Sequence, residues 1–260
     1  MLAYERHGTG EPLVLIHGIG HRRQAWYPVL EFLTPYREVV LLDLPGHGES
    51  SPLELNGRTA VEAIRDDLRE FLVQQNLERP HLAGNSLGGL VALDAAAAGF
   101  ARSVTGLSPA GFWRSSAEFA YTYRLFQVVS SAAKRVAPRA EQMARTASGR
   151  CFLFGWLVAH PSRLPIDQAM GDLKGFLAAQ PAMKQILQSQ AGQIRAAVPD
   201  VPVTIGWSTV DFVLPPIQAW QAKKLLPHAT HEWLRSCGHA PMSDDPQRVA
   251  DLLLRGSSSV

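Results

Sequence analysis

Short apolar runs alternate with segments of helical period along most of the chain. Residues 13–17 and 39–43 are almost continuously apolar and rich in Leu, Val and Ile, which predicts strands covered on both faces. A capping box at Thr59 and Glu62 begins a segment whose apolar side chains recur at helical spacing. The pattern predicts seven strands, at residues 2–6, 13–17, 39–43, directly before Ser86, 103–107, 202–207 and 230–234.

The strands and helices alternate, and most strands end in a loop of Gly and polar residues. This alternation is typical of an open, mostly parallel sheet with helices on both faces, which binds ligands at the carboxyl ends of its strands. Residues 112–198 interrupt the alternation with helical runs and no convincing strand. The sequence therefore predicts an α/β core built from residues 1–111 and 199–260, with a helical insertion at residues 112–198.

The insertion is richer in aromatic residues than the rest of the chain. Ordinary helix packing explains such residues, because large apolar side chains fill cores by default. A second interpretation stays open, in which some of them line an apolar pocket over the strand ends. The aromatic residues are Phe112, Trp113, Phe119, Tyr121, Tyr123, Phe126, Phe152, Phe154, Trp156 and Phe176.

Composition excludes several classes of partner. The net charge of +2 is small, and no Lys/Arg cluster is interleaved with aromatic residues, so we expect no nucleic-acid binding. No apolar run approaches the ~18 residues of a membrane span, and residues 1–6 do not resemble a signal peptide. We therefore expect a cytoplasmic protein with two free thiols, Cys151 and Cys237, and without membrane insertion. No histidine spacing predicts a metal site, we expect no cofactor, and the oligomeric state stays open.

The chain contains the pattern G-x-S-x-G at Gly84, Ser86 and Gly88. An apolar run precedes it and an Ala/Leu-rich helical run follows it, so Ser86 would lie on a sharp turn from a strand into a helix. The two glycines allow neighbouring backbone to approach this turn without a Cβ clash. The pattern predicts an exposed serine hydroxyl beside the free N–H groups of a helix start.

Two further residues complete the requirements of a serine nucleophile, which needs a base and a carboxylate that orients the base. Asp211 follows the predicted strand at residues 202–207, and His239 follows the next strand. Parallel strands carry such loops to one edge of the sheet, which would bring both residues to Ser86.

Other polar residues near the predicted strand ends have simpler roles. His17 and His47 lie in glycine-rich turns, where we expect structural hydrogen bonds, and Asp43 is expected to brace its own loop. Asp244 and Asp245 precede Pro246 and are expected to cap the last helix. Cys237 is expected to be structural.

These motifs together resemble the α/β-hydrolase superfamily over most of the chain. The resemblance rests on four segments in the family's order, namely His17-Gly18-Ile19-Gly20, residues 43–50 (DLPGHGES), Gly84-Asn85-Ser86-Leu87-Gly88 and Gly238-His239. It implies an α/β-hydrolase fold with a helical cap inserted after the sixth strand.

The resemblance also implies roles for individual residues. Ser86 would be the nucleophile, His239 the general base and later the acid, and Asp211 the residue that holds the imidazole. The backbone N–H groups of Ile19 and Leu87 would form the oxyanion hole. The candidates for substrate contact are Asn85, Trp113 and Phe212.

Three functions are compatible with these residues. The first is a serine hydrolase, a carboxylesterase or lactonase, that cleaves an ester of an apolar small molecule through an acyl-enzyme on Ser86. The second is a carbon–carbon bond hydrolase of the ring-fission-product type, whose members often carry G-N-S-x-G, as here with Asn85, but usually have tryptophan where this chain has Ala240. The third is a ligand-binding member of the family that has no catalytic activity.

Overall fold

A single seven-stranded sheet forms the centre of the molecule. The structure is a computed structural model that describes residues 1–189 and 200–258. The strands lie in the order β1-β3-β2-β4-β5-β6-β7, and all neighbours are parallel except β1 and β3. The strands are β1 (Tyr4–His7), β2 (Pro12–Ile16), β3 (Glu38–Leu42), β4 (His81–Asn85), β5 (Ser103–Leu107), β6 (Val203–Ser208) and β7 (Thr230–Leu234).

The central strands form where the sequence is continuously apolar. Leu15 on β2 pairs with Leu41 on β3 and with Ala83 on β4, and all three side chains are fully buried. Branched and apolar side chains cover both faces of these strands, as a parallel sheet between helix layers requires. The predicted α/β fold with a mostly parallel sheet is confirmed.

Ten α-helices lie in the described part of the chain. Helix α2 begins at the predicted capping box, in which the Thr59 hydroxyl accepts the Glu62 N–H and the Glu62 carboxylate accepts the Thr59 N–H. The helices are α1 (Tyr27–Leu33), α2 (Ala60–Gln74), α3 (Leu87–Ala97), α4 (Ser116–Val136), α5 (Ala140–Ala144), α6 (Ala147–Phe154), α7 (Ile166–Ala178), α8 (Gln180–Ser189), α9 (Gln218–Leu225) and α10 (Pro246–Gly256).

The helical segment that interrupts the sheet begins after β5. The expected position after a sixth strand is corrected, because the count came from the family's fold and this chain has one strand fewer before that point. Helices α4 to α8 lie between β5 and β6, and no strand occurs in the described residues between them. The predicted boundary between residues 198 and 199 lies outside the described residues. We call helices α4–α8 and their connections the insertion.

Aromatic side chains pack the insertion together and join it to the core. Phe126 meets Trp156 edge-on with ring centroids 5.9 Å apart, and Trp156 meets Phe176 at the same separation. Phe112 packs against Trp207 of β6 at 6.0 Å. Edge-to-face pairs at these distances are favourable beyond the area they bury.

Candidate active site

Ser86 lies at the sharp turn between β4 and α3. Its backbone has φ +55° and ψ −115°, a strained conformation that non-glycine residues seldom adopt. A Cβ on Gly84 would lie 2.2 Å from the carbonyl carbon of Gly88, and a Cβ on Gly88 would lie 2.1 Å from the carbonyl oxygen of Ile16. Both glycines of the motif are therefore required by close backbone contacts.

Neighbouring backbone holds this turn in place. The Ser86 N–H donates to the Leu107 carbonyl at 3.0 Å, and the Ser86 carbonyl accepts from the N–H groups of Leu90 and Ala110, each at 3.0 Å. Three hydrogen bonds from two elements offset the cost of the strained conformation. The Ser86 side chain is consequently fixed at the carboxyl edge of the sheet.

Asp211 and His239 form a buried hydrogen-bonded pair. His239 Nδ1 lies 2.8 Å from Asp211 Oδ2, and because a carboxylate only accepts, the Nδ1–H donates. The other oxygen, Oδ1, accepts the N–H groups of Val213 and Leu214, each at 2.8 Å. This tautomer leaves His239 Nε2 unprotonated, as a general base needs.

Asn85 connects the serine turn to the histidine loop. Its side-chain amide donates to the carbonyl of His239 at 2.8 Å and to the carbonyl of Leu107 at 3.1 Å. Both amide protons are therefore used in holding two loops together, and the role of Asn85 as a substrate contact stays a prediction. No hydrogen bond joins Ser86 Oγ to His239 in the described residues, which is common in ligand-free serine hydrolases.

The backbone N–H groups of Ile19 and Leu87 could bind an anion beside Ser86. Ile19 and Leu87 line the same small cavity as Ser86. Across the described residues, neither N–H has a hydrogen-bond acceptor. Free donors next to a serine hydroxyl provide what a developing oxyanion requires.

Two buried histidines shape the loop that carries Ile19. His17 Nε2 accepts the Leu44 N–H at 2.9 Å, and His47 Nε2 accepts the Gly20 N–H at 3.0 Å. Desolvation by burial lowers the pKa of His17 well below its usual value, helped by the nearby His47, and desolvation also lowers the pKa of His47. A ring nitrogen accepts a hydrogen bond only when it carries no proton, so both histidines must be neutral here, and the lowered pKa values agree with this. The geometry is consistent with structural roles for both histidines.

Asp43 braces its own loop. One carboxylate oxygen accepts the Arg23 N–H at 2.6 Å, and the other accepts the Glu49 N–H at 3.0 Å and contacts the Arg23 guanidinium. Both oxygens of Asp43 are thus used within its own region, and the carboxylate that contacts the His239 imidazole is that of Asp211.

The cavity beside Ser86 is small and apolar, with a volume of about 30 Å³. Its lining includes Trp113, Val213 from the loop after β6, and Phe126 and Ile186 from the insertion.

Phe212 does not line this cavity. Its side chain is 55% exposed and its carbonyl accepts the Tyr121 hydroxyl at 2.6 Å, and its role as a substrate contact stays a prediction. The backbone bends at residues 212–214, directly after Asp211.

Asp244 connects the histidine loop to the insertion. Its carboxylate accepts the N–H groups of Gly238 at 2.7 Å, Ala159 at 2.9 Å and His160 at 2.8 Å. Its predicted role as a helix cap is wrong, because it is Asp245 that accepts the Arg248 N–H at the start of α10. Pro246 at the first helical position favours Asp245 as the cap, whereas two of the three donors to Asp244 lie about 85 residues away in the chain, where no local pattern records them.

The described residues contain no group of three or more His, Cys, Asp or Glu side chains that could hold a metal ion. Nor does any described helix combine the length and the apolar character needed to cross a membrane.

Comparisons with known proteins agree with this geometry. The model of a family described as the alpha/beta hydrolase family matches residues 13–252. An (E)-2-((N-methylformamido)methylene)succinate hydrolase of Acinetobacter baylyi is 41% identical over 88 residues, which is 34% of this chain and 33% of that protein. Lipase 1 of Psychrobacter immobilis is 25% identical over 263 residues, which cover 96% of this chain and 78% of that protein.

Solved structures share the fold at lower sequence identity. The crystal structure of a membrane phospholipase A, described as a bacterial virulence factor, superposes with a TM-score of 0.77 and 24% identity. The superposition covers 100% of this chain and 84% of that chain. At this identity the likeness shows the fold alone.

Proposed function

The chain belongs to the alpha/beta hydrolase family, and from this premise we propose that it is a serine hydrolase that cleaves an ester of an apolar small molecule. The observation that carries the proposal is the arrangement at the carboxyl edge of the sheet. A strained Ser86 and two backbone N–H groups without a partner in the described residues line one apolar cavity. Asn85, next to Ser86, is hydrogen-bonded to the backbone of His239, whose imidazole is oriented by Asp211. The substrate is proposed to be a carboxylic ester or a lactone.

The reaction proceeds in two steps in this proposal. His239 Nε2 takes the proton of Ser86 as its Oγ attacks the ester carbonyl, and the oxyanion receives the N–H groups of Ile19 and Leu87. The alcohol leaves with the proton from His239, and an acyl-enzyme remains on Ser86. Water, deprotonated by His239, then attacks the acyl-enzyme and releases the acid. Asp211 stabilises the imidazolium that forms in each step.

The apolar walls of the cavity support an apolar acyl group. Trp113, Phe126 and Leu87 offer contact area but no charge to such a group. The cavity volume of about 30 Å³ is small, so the acyl group in this proposal is short.

The carbon–carbon hydrolase alternative is weakened by the structure. Its support in the sequence was Asn85, yet the Asn85 amide is used to connect the Ser86 turn with the His239 loop. This role serves any reaction that depends on those two residues. The residue after His239 is Ala240, where such hydrolases usually have tryptophan.

A screen of p-nitrophenyl esters from acetate to decanoate tests the proposal. We expect turnover of at least one ester with a burst of p-nitrophenol, because the acyl-enzyme forms before water cleaves it. We expect Ser86→Ala to reduce kcat by about 10³-fold or more. Retention of more than a few per cent of the activity by that variant contradicts the mechanism. Tight ligand binding without any turnover of the unmodified protein would favour the binding-only alternative.

The two unpaired thiols support a reducing compartment, and we propose the cytoplasm. Cys151 is exposed and Cys237 is buried, and they form no disulfide.

A further inference from the structure

A second cavity lies within the insertion, separate from the one beside Ser86. It has a volume of about 140 Å³ and lies between helices α4, α6 and α7 and the loop after β2. Ser86 is not on its wall, but Gly20 is, and Gly20 follows the oxyanion-hole residue Ile19. The cavity therefore reaches the catalytic loop from the side of the insertion.

Most of the wall is apolar. Phe176 and Leu173 are among its buried lining residues, and Trp156 is a half-buried one. Two apolar side chains on its wall are largely exposed, Val128 on α4 at 66% and Phe152 on α6 at 67%. These exposed residues mark the solvent side, so the cavity runs from an apolar mouth into the molecule.

Two polar side chains on the same wall have unused hydrogen-bonding atoms. His21 is 9% exposed, and neither ring nitrogen has a partner in the described residues. Asp172 is 7% exposed, and its Oδ1 has no hydrogen bond, since the nearest cation, Arg22 Nε, is 3.9 Å away. Buried polar atoms without partners are costly and infrequent in folded proteins, so atoms from two residues on one cavity wall call for an explanation.

We propose that this cavity binds an apolar chain carrying a hydroxyl group, with the chain directed towards the mouth and the hydroxyl at His21 and Asp172. The inference rests on the proposed function, because it assigns the bound chain to the substrate or to its alcohol product. A hydroxyl group donates one hydrogen bond and accepts others, which matches a carboxylate acceptor beside an imidazole.

The charges around the cavity select a neutral group. Desolvation by burial, with the nearby charges of His239 and Arg22, lowers the pKa of His21 to about 4, so the ring is neutral at pH 7 and offers one donor and one acceptor. Desolvation raises the pKa of Asp172 to about 6, against the opposing effect of Arg22, so the group is mostly ionised at pH 7. Asp172 repels a ligand carboxylate, and Arg22 repels a ligand ammonium group.

The volume sets the length of the chain. An apolar cavity of about 150 Å³ accommodates a benzene-sized molecule. A chain of about six carbons therefore fills the 140 Å³ cavity, and a longer one extends past Val128 and Phe152 into solvent.

Two isomers test the proposal by isothermal titration calorimetry on the unmodified protein, namely hexan-1-ol and 1-methoxypentane. They have the same atoms, but the ether oxygen only accepts a hydrogen bond. We expect hexan-1-ol to bind about 3- to 10-fold more tightly, the effect of one additional buried hydrogen bond. Equal affinities, or no binding of either compound, overturn the proposal.

Variants locate the preference. Asp172→Leu keeps a side chain of similar size without polar atoms, so the hydroxyl loses its acceptor, and we expect the variant to bind both isomers with about equal affinity. Continued binding of the ether shows that the variant is folded. The matched control is Asp167→Leu at an exposed position of the same helix, which should keep the preference of the unmodified protein. Loss of the preference in Asp167→Leu, or its survival in Asp172→Leu, contradicts the assignment.

Ester turnover separates this proposal from the proposed function. If esters are hydrolysed, hexan-1-ol should inhibit competitively, with an inhibition constant equal to the calorimetric Kd. If hexan-1-ol binds with the expected preference but no ester is hydrolysed, the cavity assignment stands and the proposed function fails. If esters are hydrolysed and hexan-1-ol neither binds nor inhibits, the cavity assignment fails alone.

Discussion

The sheet and the insertion bury their residues to different extents. Strand β4 buries all five of its residues, whereas helix α4, with 21 residues, buries only three. Backbone hydrogen bonds on both sides fix the position of β4, whereas α4 is held by side-chain packing along one face. The residues proposed for chemistry lie on the rigid part, and the walls that contact a substrate lie largely on the adaptable part.

The polar groups around Asp211 and those on the wall of the second cavity differ in how completely they are paired. At the edge of the sheet, Asp211 uses both carboxylate oxygens and Asn85 uses its amide twice. On the wall of the second cavity, Asp172 leaves one oxygen unpaired within the described residues, and His21, from the loop after β2, leaves both ring nitrogens unpaired. Complete pairing fixes a geometry, and incomplete pairing leaves atoms for a ligand.

The largest expected effect is the loss of kcat when Asp211, beside the sheet, is replaced. Asp211→Asn preserves the size of the side chain but presents an amide to His239, which favours the wrong imidazole tautomer. We expect kcat for ester hydrolysis to fall by about 10⁴-fold with little change in KM. Steady-state kinetics on the best p-nitrophenyl ester measures this. A loss below about 10-fold would show that Asp211 does not orient the base.

Asp244 tests the link between the two regions. Asp244→Ala frees the N–H groups of Gly238, Ala159 and His160, so the histidine loop loses its anchor on the insertion. We expect kcat/KM to fall by about 10- to 100-fold, because a displacement of about 1 Å has effects of this size.

The adjacent aspartate provides the matched control. Asp245→Ala removes the cap of α10 and should cost about 1 kcal/mol of unfolding free energy while it leaves kcat/KM unchanged. Equal losses of activity in both variants would mean that Asp244 acts only through general stability.

Asp172 makes stability depend on pH within the insertion. Its folded pKa, about 6, exceeds its ordinary value of 3.8, so the folded protein binds this proton more tightly than the unfolded chain does. The unmodified protein therefore loses stability from this group as pH rises from about 4 to about 6. We expect Asp172→Asn to remove that loss, which amounts to about 1–3 kcal/mol of unfolding free energy between pH 4 and pH 7.

Urea denaturation of both proteins at pH 4, 5, 6 and 7 measures the difference. Asp167→Asn, at an exposed position on the same helix, is the control and should follow the unmodified protein. A constant difference between Asp172→Asn and the unmodified protein over this range contradicts the expectation.

The smallest expected effect is a difference in labelling rate between Cys151 of the insertion and Cys237 of the core. Burial, together with Asp244 and Asp245, raises the pKa of Cys237 to about 12, while Cys151 in the insertion is exposed. The thiolate is the reactive form, so we expect a disulfide reagent to label one thiol of the folded protein at pH 7 and both after denaturation. Mass spectrometry identifies the labelled residue, and rapid labelling of Cys237 would show that its loop opens.

Much of the fold could be predicted from the sequence because its determinants are local. The apolar runs at β2 and β3 require burial on both faces, and the capping box at Thr59 starts α2 at the predicted residue. The turn at Ser86 also has a local cause, since its glycines are required by backbone contacts. The family assignment and the mostly parallel sheet follow from such segments and are confirmed.

The substrate contacts could not be predicted in the same way. The three candidates for substrate contact lie close to site residues or strand ends in the sequence. In the structure, Asn85 is hydrogen-bonded to two loops, Trp113 lines the cavity beside Ser86, and Phe212 is largely exposed. Sequence position fixes where the backbone of a loop residue lies but not which way its side chain turns. That direction depends on neighbours from distant elements.

The sequence by itself therefore determined the order of the elements and the residue types at the ends of the strands, because hydrophobic period, turn residues and caps act over a few positions. Tertiary structure decided which of two adjacent aspartates anchors the histidine loop, and it brought His21 from the loop after β2 and Asp172 from the insertion to one cavity. These pairings depend on contacts across 85 and about 150 residues of chain, respectively, and no local pattern records them.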